Sequence, residues 1–151
     1  MQKITKDDIR TRYDEYNKLY FGNMLKHCKF SARKIDALGN YWNKTLKDGT
    51  VEGRITITTD VDWTEDGLKK VVIHEMIHHY VRTIDGCRYI DGFSWYGLFG
   101  HGRHFKRQIR RLKKEFGLEI SIHNAEIYHI NEKVPSTLWE KVVRLIDTYI
   151  V

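Results

Sequence analysis

Apolar residues recur at helical spacing near the start of the chain. They follow one another at three- and four-residue steps, and such steps gather side chains on one face of a helix. The positions are Ile9, Tyr13, Tyr16 and Tyr20. We therefore predict a first helix over residues 7–21, ended by Gly22 and Asn23.

A longer apolar pattern predicts a second helix over about residues 63–84. Its buried flank holds Ile73, Met76, Ile77, Tyr80, Val81 and Ile84. Because Glu65 follows Asp62 by three residues, we predict that Asp62 is the N-cap of a capping box.

A third helix is predicted over about residues 102–116, with Gly117 as its stop. Its inward stripe holds Phe105, Ile109, Leu112 and Phe116. A last helix, capped by Ser136 or Thr137, is predicted to end near Ile150.

Alternating residues between the first two helices predict a pair of antiparallel strands over about 37–45 and 51–59. Asp48-Gly49 lies between them and is a hairpin signal, because glycine accepts a positive φ. Residues 119–123 are read as another short strand. Helices and short strands together predict a small α+β fold, with residues 1–151 forming a single domain.

Periodicity is lost over residues 85–100, which hold four glycines and several aromatic side chains. We interpret this segment as a long structured loop, a kind of loop that is often functional. Its Phe93, Trp95, Tyr96 and Phe99 are interpreted either as a lid or substrate wall, or as an aromatic mini-core over the sheet.

The composition is that of a soluble protein, with 41% hydrophobic and 30% charged residues among 151. We find no apolar signal-peptide core and no stretch of about 18 apolar residues that could span a membrane. Cys28 and Cys87 lie far apart, outside any CxxC pair, and are expected to be reduced. These features predict a cytoplasmic protein.

The predicted second helix carries His74-Glu75-Met76-Ile77-His78, an H-E-x-x-H pattern. Positions i and i+4 lie on one face of a helix, so the two imidazoles could bind one Zn²⁺. Glu75 is then placed to act as general base on a water. The alternative, an ordinary polar stretch, is disfavoured because the two histidines border an apolar flank and need partners there. His79 points to another face and is interpreted as a surface or second-shell residue.

A catalytic zinc usually has three protein ligands and one open position. We choose His101 as the third ligand because it lies four residues before Phe105, at the head of the inward stripe. His104 is the alternative, although it is rotated away from that stripe.

With HEMIHHY at 74–80 and GHGRHFK at 100–106, the chain resembles the SprT-like zinc metallopeptidases, which include the Spartan proteases. The resemblance implies that His74, His78 and His101 bind Zn²⁺ and that Glu75 is the general base. It also implies a zincin-like fold, with the HExxH helix beneath an antiparallel sheet. In such proteases an edge strand pairs with the substrate backbone, and RITITT at 54–59 is our candidate.

The chain departs from that family in two respects. Many members carry a cysteine-based zinc ribbon after the protease domain, and we expect none here. The 22 residues between His78 and His101 also form a longer connection than we expect for the family.

Cationic side chains are concentrated on the third predicted helix, in a chain whose formal net charge is +6. Those predicted to face solvent are Arg103, Lys106, Arg107, Arg110, Lys113 and Lys114. Such a surface could bind nucleic acid without sequence specificity, through its phosphates. A solvated basic face with no such partner is the alternative.

We therefore predict a zinc metalloendopeptidase acting on protein or peptide substrates, with DNA-associated proteins as one candidate class. Two other classes stay open: a nucleic-acid-binding module with a structural zinc, and a regulatory HExxH peptidase that cleaves one repressor. The second of these classes tends to use an acidic third ligand. Proximity in the chain makes Tyr80, Tyr96 and Arg103 candidates for stabilising an oxyanion.

Overall fold

The structure is a computed structural model that describes residues 3–87 and 101–122. Its described elements are α1 (Lys6–Tyr20), β1 (Lys29–Ala32), β2 (Gly39–Thr45), β3 (Val51–Ile57), α2 (Glu65–Thr83) and α3 (Arg103–Phe116). The small α+β fold is confirmed. The predicted loop at 85–100, apart from its first residues, and the predicted last helix lie outside the described residues.

The three strands form one mixed sheet in the order β1-β3-β2. The predicted antiparallel pair is confirmed as β2 and β3, in a register that places Tyr41 opposite Ile55. Within the connecting turn, the Asp48 carboxylate accepts a hydrogen bond from the Thr50 N–H at 2.9 Å. Gly49 has the positive φ, 83°, that the turn signal required.

The sequence patterns missed β1, which pairs in parallel with β3 and places Phe30 beside Ile55. Four residues are too few for a clear alternation, so this strand has little signal of its own. Because β1 takes one side of β3 and β2 the other, RITITT belongs to the central strand. The prediction that it is the substrate-binding edge is wrong, and among the described strands β2 is the edge strand on the α2 side of the sheet.

Helix α2 begins two residues later than predicted, and its N-cap is Thr64 rather than Asp62. The Thr64 hydroxyl accepts a hydrogen bond from the Gly67 N–H at 3.0 Å. Trp63 is held outside the helix because its indole N–H donates to the Thr58 carbonyl at 2.9 Å. That bond fixes the chain before the helix, so Asp62 lies too far upstream to cap it.

The core lies between the inner face of the sheet and helices α1 and α2. Buried side chains lie on every side of α2, including Val71, Ile73 and Met76, since neighbouring elements surround it. Cys28 is also buried here, at 2% exposure, and Cys28 and Cys87 form no disulfide in the described part of the chain.

Helix α3 ends as predicted, with Gly117 in the left-handed conformation at φ 67°. The predicted strand at 119–123 is wrong for its described part, because residues 119–122 join no strand. Ile120 is nevertheless buried, which explains the apolar signal without a sheet. No helix in the described ranges is long and apolar enough to cross a membrane.

Candidate metal centre

Three histidines meet where α2 faces the start of α3. His74 and His78 lie one turn apart on α2, and His101 lies just before Gly102, the N-cap of α3. Each offers one ring nitrogen, and these atoms all lie within 4.8 Å of one another. His74 Nε2 and His101 Nε2 are 3.0 Å apart. The fold therefore brings together the three histidines singled out by the sequence.

The spacing of the three nitrogens fits a small metal ion. Zinc–imidazole bonds of about 2.0–2.1 Å in a tetrahedron place ligand nitrogens roughly 3.3 Å apart. The observed 3.0 Å approach of His74 to His101 is close to that value. The group could therefore bind a metal ion.

His104, the alternative third ligand, lies outside the cluster. Its Nδ1 is 3.3 Å from Asp85 Oδ2, and the same oxygen accepts a hydrogen bond from Arg107 at 2.8 Å. This contact turns the His104 ring toward the C-terminal end of α2, away from the cluster.

A backbone carbonyl fixes the tautomer of His74. His74 Nδ1 lies 3.0 Å from the Ser121 carbonyl oxygen, which can only accept a hydrogen bond. Nδ1 therefore carries the proton, and the lone pair of Nε2 is directed into the cluster. Metal-binding histidines are commonly oriented in this way by a second hydrogen bond. Being a backbone group, Ser121 O leaves no signal in the sequence.

Phe105 forms an apolar wall against all three imidazoles. Its ring centroid lies 4.9 Å from that of His74, 4.5 Å from that of His78 and 4.6 Å from that of His101. Phe105 is fully buried. Burial, and to a lesser extent the neighbouring His74 and His101, lower the pKa of His78 well below its ordinary value. His78 is therefore neutral at pH 7, the form that binds a metal.

Glu75 is buried between α2 and the edge strand, at 2% exposure. A Cβ added to Gly39 at the start of β2 would lie 2.6 Å from Glu75 Oε1 and 2.8 Å from Val71 Cγ1. The carboxylate thus lies against a strand position that only glycine can occupy without displacing it. This contact places Glu75 at the sheet edge, on the helix that also carries two of the histidines.

Of the two interpretations of His79, the surface position is excluded, because its side chain is fully buried. His79 Nε2 is 3.0 Å from the Lys26 carbonyl oxygen, so Nε2 must donate. Burial lowers the pKa of this imidazole, which is therefore neutral, with Nδ1 as an acceptor. The Tyr41 hydroxyl donates to that Nδ1 at 3.0 Å.

Tyr41 links this buried pair to the histidine cluster. Its ring is parallel to that of His78, with centroids 6.3 Å apart and planes 4° apart. The sequence analysis did not identify this residue. Alternation along β2 could have indicated it, because Gly39 and Tyr41 both face α2. His79 is thus connected to His78 through Tyr41, which agrees with the second-shell interpretation.

The candidates for stabilising an oxyanion find no support in the described contacts. Tyr80 packs on Phe21, with ring centroids 5.9 Å apart, and Arg103 is exposed at the start of α3. Tyr96 and the other aromatic residues of 88–100 lie outside the described residues.

The cationic residues of α3 are largely solvent-facing, as predicted. Arg103, Arg107, Arg110, Lys113 and Lys114 are exposed, whereas Lys106 is half-buried. Some are neutralised, since Arg107 pairs with Asp85 and Lys113 with Glu119.

Comparison with known proteins gives one family. The model of the SprT-like family matches residues 9–125, well over half of the 151-residue chain. The match covers every described helix and strand except the first turn of α1. A search of curated proteins finds no match.

Proposed function

This chain belongs to the SprT-like family, and on that premise we propose that it is a zinc-dependent endopeptidase. The observation that carries the proposal is the convergence of three imidazoles, two of them on the helix that also carries the buried carboxylate of Glu75. His74, His78 and His101 are the proposed metal ligands, and Glu75 is the proposed general base. An all-histidine set with a neighbouring carboxylate is the donor chemistry of a catalytic zinc site.

Zinc is the metal that this donor set suits best. Three neutral nitrogen donors favour zinc over magnesium or calcium, which prefer oxygen ligands. A zinc ion held there would polarise a carbonyl and would lower the pKa of a bound water to about 7. The protein contributes ligand orientation, through the hydrogen bond of His74 to Ser121, and an apolar wall, through Phe105.

Glu75 handles the proton in the proposed reaction. Its carboxylate accepts a proton as water attacks the peptide carbonyl, and then transfers it to the amine that leaves. Its Oε1 lies against Gly39, where an added Cβ would come within 2.6 Å, so strand β2 limits its movement on that side. A group fixed in this way loses little entropy on reaching the reacting geometry.

We propose that the substrate backbone pairs with β2. This strand is at the sheet edge in the described part of the fold, and it begins at Gly39, against Glu75. An extended peptide can add to such an edge by main-chain hydrogen bonds. A peptide lying there would pass the carboxylate of Glu75, which agrees with cleavage of the backbone rather than a side chain.

The metal ligands are tested by zinc content per chain in the wild type, His101→Ala and His104→Ala. We expect one zinc in the wild type and in His104→Ala, and severe loss in His101→Ala. His104→Ala is the matched control, because it removes a nearby imidazole that contacts Asp85 instead. Full zinc retention in His101→Ala would remove the proposed third ligand.

The general base is tested with Glu75→Gln, assayed on an unfolded protein substrate with zinc content measured in parallel. We expect a loss of activity of about 10²–10⁴-fold, because a positioned base contributes about that much. Zinc should be retained. Glu115→Gln, which only removes an exposed ion pair with Arg111, should keep full activity. Equal activity in Glu75→Gln and the wild type would contradict the assignment.

The alternative functions are less well supported. A regulatory HExxH peptidase with an acidic third ligand is disfavoured, because the metal-binding group found in the described residues is composed of three histidines. A purely structural zinc would not need the general base that Glu75 is proposed to provide.

Non-specific nucleic-acid binding through α3 remains a second proposal. The charge on its outer face supports it, since Arg103, Lys106, Arg110 and Lys114 form no ion pair with the described residues. Binding to a single-stranded oligonucleotide should weaken steeply between about 50 and 200 mM salt. Binding that is absent or independent of salt would reject this partner.

A further inference from the structure

A second candidate site lies away from the metal centre, between the start of α1 and the β1 edge of the sheet. It is a pocket of about 420 Å³. Ligand pockets commonly measure roughly 300–1,000 Å³. Four of its lining residues are cationic: Lys6, Arg10, Lys29 and Arg54. His27 and Ser31 add polar groups, and no acidic residue lines the pocket.

Three elements, α1, β1 and β3, bring the four cations together. Lys6 and Arg10 are one turn apart on α1, so their side chains lie on the same face of the helix. Lys29 on β1 and Arg54 on β3 are register partners, which places their side chains next to each other on one face of the sheet. The pocket thus lies between a helical pair and a cross-strand pair of positive charges.

The charge of the pocket is only partly balanced. Lys29 pairs with Glu52 at 2.9 Å, but Glu52 also pairs with Lys44 at 3.3 Å. Arg10 pairs with Asp7 at 3.1 Å, and both of these side chains are exposed, so the pair is weak. Lys6 and Arg54 form no ion pair with any described residue. An excess of positive charge therefore faces the pocket.

We propose that this pocket binds a phosphate group. Arginine presents a planar fork of donors that matches phosphate oxygens, and lysine adds a compact charge. Arg10 on α1 and Arg54 on β3 provide two such forks, and the Ser31 hydroxyl is a further donor. The volume exceeds that of one phosphate ion, so the group can be part of a larger molecule.

Trp42 extends the site along the sheet. It is the register partner of Arg54 on β2, and its side chain is 51% exposed. Lys29, Arg54 and Trp42 thus form one row across the three strands. An exposed aromatic ring beside cations suits the stacking of a nucleobase whose phosphate lies in the pocket. The phosphate can come from a free anion or from a single strand, and the two sources are separable.

The test compares two double variants of the full chain that remove the same charge. Lys6→Gln/Arg54→Gln alters the pocket, whereas Lys18→Gln/Lys47→Gln removes two exposed cations outside both the pocket and α3. Binding of inorganic phosphate and of a short oligothymidylate is measured by calorimetry. Circular dichroism and thermal denaturation confirm that each variant is folded.

We expect the pocket variant to lose about tenfold or more in affinity, because charge-assisted hydrogen bonds to phosphate are lost. The control should stay within about twofold of the wild type, since distant charges are screened by salt. If inorganic phosphate shows this difference, the source is a free anion. If only oligothymidylate shows this difference, and Trp42→Ala also weakens the binding of oligothymidylate, the phosphate comes from a single-stranded nucleic acid.

Equal loss in both double variants would mean that net charge alone attracts the anion, which would overturn the proposal. Failure of both probes to bind the folded wild type would overturn it as well. Neither result would bear on the peptidase, because the pocket lies at the β1 edge and Glu75 lies against β2.

Discussion

At the residue scale, the contact between Gly39 and Glu75 joins the edge strand to the catalytic candidate. A side chain at position 39 would need the space that Glu75 Oε1 and Val71 Cγ1 already occupy. The position of the carboxylate therefore depends on the absence of a single methyl group on the neighbouring strand.

We predict that Gly39→Ala reduces peptidase activity by roughly 100-fold, because small misplacements of a reacting group can cost that much. Zinc content should hardly change, since position 39 contacts the base rather than the three imidazoles. The measurement is activity per bound zinc. Asn40→Ala, at the exposed neighbouring position, is the control and should keep its activity. Wild-type activity in Gly39→Ala would show that Glu75 can move freely.

The sequence predicted the three convergent histidines, because helical spacing and a family motif both point to them. It could not predict the partners of His79, which are the Tyr41 hydroxyl and the Lys26 carbonyl. Both partners come from segments more than 30 residues away, and one is a backbone group. Local patterns indicate which side chains need a partner, whereas the fold determines which atoms provide one.

At the element scale, helix α2 shows how a capping signal can be displaced. Asp62 and Glu65 satisfy the pattern of a capping box, yet the Thr64 hydroxyl caps the helix. The hydrogen bond from the Trp63 indole to the Thr58 carbonyl holds Trp63 outside the helix, so the helix begins after Thr64 and Asp62 is too far upstream to cap it. Such a contact depends on where β3 ends, so a local pattern cannot reveal it.

We predict that Thr64→Ala lowers the free energy of unfolding by about 1 kcal/mol, the usual cost of losing an N-cap hydrogen bond. Asp62→Ala should change it by less than about 0.5 kcal/mol, as expected of an exposed residue with no special contact. Urea denaturation of both variants provides the measurement. A larger loss in Asp62→Ala than in Thr64→Ala would restore the original capping prediction.

At the scale of the whole molecule, the sequence did not predict the order of the strands in the sheet, which is β1-β3-β2. The β2–β3 hairpin is local, and its turn has a clear signal at Asp48-Gly49. The parallel pairing of β1 with β3 joins segments about 25 residues apart through a four-residue strand. Local patterns cannot specify such pairing, so the assignment of edge and centre was reversed for RITITT.

The burial of Cys28 makes the integrity of the fold measurable by thiol chemistry. Burial raises the pKa of Cys28 to about 12, so near pH 7 very little of it is the thiolate that attacks an alkylating reagent. Cys87 is only half-buried. We predict that iodoacetamide adds one label to the folded protein, at Cys87, as resolved by mass spectrometry.

A second label, at Cys28, should then appear only as the molecule opens, and mild urea should accelerate it. A Cys87→Ser variant keeps only Cys28, so under native conditions it should be labelled slowly and its rate isolates this second reaction. Rapid labelling of Cys28 in that variant would show that the core admits the reagent without unfolding. If Cys28 is instead labelled slowly, its labelling rate measures how often the core opens to solvent. This measurement needs no substrate.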